Sequence, residues 1–238
     1  MRIVRRILSA LDGFLAPPLC PRCAHERAAA GELCPSCAVK TGRLPEEGRC
    51  SACGGPLAGV ASGVCRQCAE TPPPWFRGVS ALDYHGEGGD LVRAYKYGRQ
   101  SVLAEYFAKE MADAWLKYGR PARPQALVPV PLHWIRQARR GFNQAELLCQ
   151  RLSPRLKMPV LPLLRRNRVT AHQARLDAEG RLKNLRGAFL VPEAGAAKGR
   201  SLLLVDDVMT TGATLTACAE ALYAAGAAEV SVLTIARA

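Results

Sequence analysis

The sequence predicts an α/β domain built on a parallel sheet, preceded by a small cysteine-rich region that folds around metal. Two observations carry this. Eight of the ten cysteines fall before residue 69, in four CxxC pairs. From Gly78 onward, apolar strand-like runs alternate with helical stretches, the order that produces a parallel sheet with helices on its faces. A third observation sets the scale: 238 residues, nearly half of them hydrophobic, suffice for a sizeable core. No apolar run reaches the 18 residues that a membrane-spanning helix needs.

The N-terminus, MRIVRRILSALDGFLAPPLC, has the basic-then-apolar order of a signal peptide. Asp12 interrupts the apolar stretch, and no small-residue cleavage site precedes Cys20. It reads instead as a short amphipathic helix with Ile3, Ile7, Leu8, Leu11 and Leu15 on one face. The expected compartment is the cytoplasm.

The four pairs are Cys20/Cys23, Cys34/Cys37, Cys50/Cys53 and Cys65/Cys68, separated by ten, twelve and eleven residues. A CxxC turn aims two sulfurs at one ion, and two such turns complete the tetrahedral thiolate shell that zinc accepts. Disulfides would need an oxidising compartment, for which there is no export signal. A redox dithiol needs one pair, not four. Two structural zinc ions are therefore expected. First-with-second and third-with-fourth is the simplest pairing; crossed pairing is the alternative. A four-cysteine site leaves no open coordination position, so these ions are not catalytic. His25 reads as a surface residue, and Cys149 and Cys218 as small core residues. Residues 1–70 form the N-terminal helix and double ribbon, residues 71–77 a stiff Pro-rich linker, and residues 78–238 the main domain.

In that domain, Gly78–Asp90 reads as a strand and a Gly-rich turn, Leu91–Tyr97 as a short helix and Val102–Tyr118 as a longer one. Ala126–Val130 is a short buried strand, and Asn143–Leu152 is helical. Val169–Arg186 is polar, basic and without a clear period, and reads as a long mobile loop. Ser201–Val205 is the strongest strand, Leu215–Ala225 a helix ended by Gly226, and Val230–Ile235 the last strand.

The chemistry concentrates in LLLVDDVMTTGAT, Leu202–Thr214. A buried strand delivers Asp206 and Asp207 to its carboxyl end, where ligands bind in open α/β sheets. Gly212 permits a tight turn with converging N–H groups. Thr210, Thr211 and Thr214 supply hydroxyls beside a helix N-terminus, whose dipole favours anions. Acids next to an anion cradle need other partners, and sugar hydroxyls and Mg²⁺ suit them. The signatures GxxxxGK[ST] and GxGxxG are both absent.

This segment resembles the phosphoribosyl-pyrophosphate motif of type I phosphoribosyltransferases. The whole chain is similar to the ComF family, which joins an N-terminal double zinc ribbon to such a domain. The resemblance runs through the paired knuckles, PPPWF at Pro72–Phe76, AYKYGRQ at Ala94–Gln100, VPVPLHWIRQARRGFNQAELL at Val128–Leu148, and the basic stretch Thr170–Phe189. It implies a type I phosphoribosyltransferase fold with a small hood. It implies Asp206 and Asp207 on the ribose hydroxyls, and Thr210, Thr211, Gly212, Ala213 and Thr214 around the 5′-phosphate. Pro131, Leu132, His133 and Trp134 would form the pyrophosphate loop, and Val169–Arg186 the loop that closes over the site. Cations for the departing pyrophosphate would be Mg²⁺, Arg140, Arg181 and Lys183, with Lys96 reaching in from the hood. Asn143 and Gln144 would contact pyrophosphate or cap the helix that follows. The acceptor is not specified.

The net charge of +13 falls to about +9 with two zinc-bound cysteine sets. Residues 133–186 carry thirteen Lys and Arg against three acids. A phosphate-rich substrate accounts for such a surface, and so does a nucleic acid. Two functions are therefore expected to compete: a Mg²⁺-dependent phosphoribosyltransferase linked to DNA uptake or nucleotide metabolism, and a sugar-phosphate-responsive adaptor that binds single-stranded DNA or a DNA-uptake or recombination protein.

Overall fold

The computed structural model describes residues 18–29, 31–57, 59, 63–98, 100–132, 141–167, 185 and 187–238. The expected N-terminal helix, His133, Trp134, Arg140, and Val169–Arg186 except Leu185, with Arg181 and Lys183 among them, lie outside the described residues.

The elements are α1 (Pro35–Lys40), α2 (Arg66–Glu70), β1 (Gly78–Asp83), α3 (Glu87–Tyr97), α4 (Leu103–Tyr118), β2 (Ala126–Pro129), α5 (Gln144–Leu156), β3 (Arg165–Arg166), β4 (Phe189–Leu190), β5 (Ser201–Met209), α6 (Ala213–Ala224) and β6 (Glu229–Arg237). Four strands form a sheet in the order β1-β6-β5-β2, every pair parallel. The two-residue strands β3 and β4 pair antiparallel beside it. Among the described residues no helix is long and apolar enough to cross a membrane.

The central strands are apolar on both faces, as a sheet covered on both sides requires. Successive residues of β5 alternate between two cores. Leu203 and Val205 join the core built by α3, α4 and α5. Leu202 and Leu204 join the core built by α6. Ser80 and Thr234 share a 2.7 Å hydrogen bond between β1 and β6, which offsets the cost of burying two hydroxyls, whereas the buried Ser231 Oγ of β6 has no hydrogen-bond partner among the described residues.

Three boundaries differ from the sequence reading by four residues, the others by one or two. Helix α3 starts at Glu87, inside the expected Gly-rich turn, with Glu87 and Asp90 in its first turn where the dipole favours acids. Gly88 is helical there because its backbone presses on the end of β1; a Cβ would sit 2.3 Å from the Asp83 carbonyl oxygen. Helix α5 runs to Leu156 and carries Pro154 within its last turn. Strand β5 continues past Val205 to Met209 because β6 extends alongside it to Arg237. The acids therefore lie within strand pairing rather than after it.

Within residues 71–77 the prolines stay partly or fully exposed, and the aromatic end of the segment is docked. Trp75 is buried, its indole N–H donates to the Ala52 carbonyl at 2.6 Å, and the Phe76 amide donates to Val230 of β6. Burial of one large aromatic is worth a few kcal/mol, enough to hold this short segment against the sheet.

Candidate functional site

Eight cysteines gather into two sets: Cys20, Cys23, Cys34 and Cys37, and Cys50, Cys53, Cys65 and Cys68, each with its four Sγ atoms within 4.8 Å of one another. The pairing is sequential. Each set combines two local geometries. Cys20/Cys23 and Cys50/Cys53 sit in turns pinned by the bridges Leu19–Arg27 and Arg49–Pro56. Cys34 and Cys65 are the N-caps of α1 and α2, and Cys37 and Cys68 lie within those helices. Backbone amides point at the sulfurs: Cys34 N to Cys20 Sγ at 3.4 Å, and Cys65 N to Cys50 Sγ at 3.3 Å. The Arg22 guanidinium donates to Cys37 Sγ at 3.7 Å. Four convergent sulfurs with N–H donors around them fit a thiolate-bound zinc ion. Cys149 and Cys218 are fully buried elsewhere, and burial pushes both thiols up, out of reach of thiolate chemistry.

The second constellation stands where β5 ends. Adjacent strand residues point to opposite faces, and the acids divide accordingly. Asp207 turns to α3, where its carboxylate meets Lys96 Nζ at 2.8 Å, with both side chains largely buried. Burial alone would lower the Lys96 pKa. The Asp207 carboxylate outweighs it, with Asp206 behind, and holds the ammonium above the ordinary lysine range. Tyr95, fully buried, donates to the Gln144 carbonyl at 2.9 Å and locks α3 against α5. Asp206 faces the α6 side, where its charge helps raise the Cys218 thiol; its Oδ1 accepts the Asp207 amide at 2.8 Å.

The loop that follows has the expected form. Gly212 is the N-cap of α6 at φ +80°, a left-handed conformation that favours glycine. Thr211 Oγ1 accepts from the Ala213 amide at 3.4 Å. Asp206 and residues 208–215 line one small hollow. A larger cavity of about 400 Å³ lies between the loop and the second ribbon, walled by Cys68, Pro73, Trp75, Thr211, Gly212 and Arg237.

Asn143 is the N-cap of α5: its Oδ1 accepts the Ala145 amide at 3.1 Å, and its Nδ2 donates to the Val130 carbonyl at 3.2 Å. It thereby tethers the strand end from which Pro131 and Leu132 lead. Gln144 is buried. The structure thus brings together Asp206, Asp207, Lys96 and the Thr210–Thr214 loop. Two residues that sequence reasoning did not single out stand beside them. Trp75 was visible only as part of PPPWF. Arg237 is the last residue of β6; its alignment with Met209 across β5 and β6 carries no local sequence signal.

A double ribbon carried on a parallel α/β sheet with acids and a Gly-Thr loop at one strand end defines a zinc-ribbon protein of the phosphoribosyltransferase fold class. The model of the phosphoribosyl transferase domain matches residues 138–238, and that of the double zinc ribbon domain residues 11–69. The chain is 34% identical to competence protein F of Haemophilus influenzae, over 91% of this chain and 97% of that one. It is 39% identical to the DNA utilization protein YhgH of Salmonella typhi, over 79% of this chain and 83% of that one. It is 28% identical to competence protein ComFC of Bacillus subtilis, over 87% and 84%. The chain belongs to the ComF family. Among solved structures it is similar to glutamine phosphoribosylpyrophosphate amidotransferase from B. subtilis, at 17% identity and TM-score 0.40, over 59% of this chain and 30% of that one.

Proposed function

We propose that this protein uses phosphoribosyl pyrophosphate with Mg²⁺ to transfer a phosphoribosyl group. The observation that carries the reading is the end of β5, where two acids on a paired strand run into a left-handed glycine and the N-terminus of a 12-residue helix. The amides of Gly212, Ala213 and Thr214, with the Thr210, Thr211 and Thr214 hydroxyls, suit a 5′-phosphate. Asp206 and Asp207 suit ribose hydroxyls, and their oxygens also fit a hard cation. Mg²⁺ bound with the donor would neutralise charge on its pyrophosphate. In the transfer, the C1′–O bond breaks and its electron pair leaves with pyrophosphate; the acceptor nucleophile bonds to C1′ and gives up a proton. Lys96 meets Asp207 at 2.8 Å, and Pro131 and Leu132 border the place proposed for pyrophosphate. Arg140, Arg181 and Lys183 remain candidates for its charge.

The test is calorimetric titration of donor with Mg²⁺ into the intact chain and into Asp206→Asn with Asp207→Asn. Charge-assisted hydrogen bonds contribute about 1.5–3 kcal/mol each, so the double variant should lose at least about a hundredfold in affinity. Unchanged affinity in a folded variant refutes the assignment.

A second reading is favoured by the net charge of +13 and by the names of the relatives, which concern competence and DNA utilization. In it, the site senses the sugar phosphate while a basic surface holds single-stranded DNA or a DNA-handling protein. Donor binding without turnover, together with salt-sensitive binding of single-stranded DNA, would favour this adaptor over the enzyme.

A further inference from the structure

We infer that the second zinc ribbon positions the 210–214 loop, through Trp75 and the Arg237–Gln67 contact, and that the first ribbon does not. The inference rests on the proposed donor site only in calling that loop functional.

Three connections run from the second ribbon to the loop. The first is through Trp75. Its indole N–H donates to the carbonyl of Ala52, between the ligands Cys50 and Cys53, at 2.6 Å. The far edge of the same ring closes on the loop: a Cβ added at Gly212 would lie 3.2 Å from Trp75 Cη2. One rigid side chain thus spans from a metal knuckle to the residue that turns the chain into α6.

The second connection is through Arg237. Its Nη2 donates to Gln67 Oε1 at 2.8 Å, and Gln67 lies between Cys65 and Cys68. Its Nη1 donates to the carbonyls of Met209, at 3.0 Å, and Thr210. These are the last residue of β5 and the first of the loop. A guanidinium fixes several acceptors in one planar fork, so the loop's entry is held in register with the helix that carries the fourth knuckle. The third is packing: Cys50, Cys53, Cys68, Trp75, Met209 and Ala213 share one core. The first ribbon's Cys20, Cys34 and Cys37 lie in the other core, against α3 and α4.

A loop that must meet a ligand with fixed N–H groups gains from being held before the ligand arrives, because less ordering is lost on binding. Trp75 and Arg237 are therefore positioning residues, and the second zinc ion acts on the loop through them.

The experiment is hydrogen exchange in the full-length protein, comparing the peptide covering residues 208–217 with α4 as internal reference. Cys65→Ser removes a ligand of the second site, and Cys23→Ser one of the first. Gln67→Leu cuts only the Arg237 contact; Gln67 is exposed, so the fold does not depend on it. Gln67→Glu keeps an acceptor for Arg237. Exchange in 208–217 should rise about tenfold in Cys65→Ser and several-fold in Gln67→Leu, with α4 unchanged. It should return to the parent rate in Gln67→Glu and stay there in Cys23→Ser. Parent-rate exchange in Gln67→Leu, or equal acceleration in Cys23→Ser, overturns the inference. If exchange behaves as expected and the intact protein binds no donor with Mg²⁺, the functional reading fails and the brace stands. If donor binds and exchange is unmoved, the brace fails alone.

Discussion

Each ribbon uses a set of four cysteines and the same pairing of a turn knuckle with a helix N-terminus, yet the two face different parts of the molecule. The first is tied to the helical side: Arg22 pairs with Glu87 of α3 at 2.7 Å and Glu32 with Lys109 of α4 at 2.8 Å. The second is tied to the sheet and the edge that carries the candidate site: Arg49 donates to the Ser80 carbonyl of β1, Trp75 touches Gly212, and Arg237 joins Gln67 to the end of β5. Identical metal chemistry can thus serve separate tasks, decided by what packs against it. The first ribbon meets the candidate site only at one remove, through α3, which carries Lys96 to Asp207.

The largest expected effect is loss of metal. A structural zinc site contributes about 10–16 kcal/mol in isolated fingers, comparable with the whole stability of a domain. Elemental analysis should find two zinc ions per chain, and one in either Cys20→Ser or Cys50→Ser. Both variants should melt lower. If the comparison holds, donor affinity falls at least about tenfold in Cys50→Ser and stays within about threefold in Cys20→Ser. A single ion in the parent protein, or iron in place of zinc, would end the double-ribbon account, and equal affinity losses would end the asymmetry.

Next in size is Lys96→Met, which probes the indirect route. It leaves the Asp207 carboxylate largely buried without its cation, at a cost of about 1–3 kcal/mol. The pH dependence has a definite sign. The Lys96 pKa is raised in the folded chain, so its contribution is complete below the unfolded value and is lost as pH rises through the folded one. The melting difference between parent and variant should be constant near neutrality and shrink only above about pH 10. A difference that instead grows with pH would show that the ion pair is not what Lys96 contributes.

How much of this was legible in the sequence follows from what is local. The knuckles were legible because each CxxC is its own turn or helix start; their sequential pairing was not, because gaps of ten, twelve and eleven residues allow crossed pairing as well, and it is the fold that decides it. The strand carrying Asp206 and Asp207 was legible from its apolar run, as was the Gly212 turn. What escaped depends on partners far along the chain. The extension of β5 to Met209 is set by β6. The helical start at Glu87 is set by Gly88 against β1. The docking of residues 71–77 is set by Trp75 reaching both Ala52 and Gly212. The run of three prolines reads as a linker, and nothing local to it announces that the aromatic after it is buried.

The smallest expected effect comes from Asn143, which touches neither ribbon and so serves as the comparison's control. Its Oδ1 caps α5 and its Nδ2 holds the Val130 carbonyl. Asn143→Ala removes both and should cost about 1 kcal/mol of stability, the usual worth of an N-cap. Asn143→Asp keeps the cap, and its negative charge is favoured at a helix N-terminus; only the bond to Val130 is lost. If Asn143 is a cap alone, the Asp variant should melt close to the parent and bind donor equally well. If it also contacts pyrophosphate, the other role its sequence position allows, the new carboxylate faces an anion. Donor affinity should then fall about tenfold or more while the melting temperature holds. Thermal melts and donor titration on the two variants separate these outcomes. Neither variant should change zinc content, since α5 supplies no ligand and carries no knuckle.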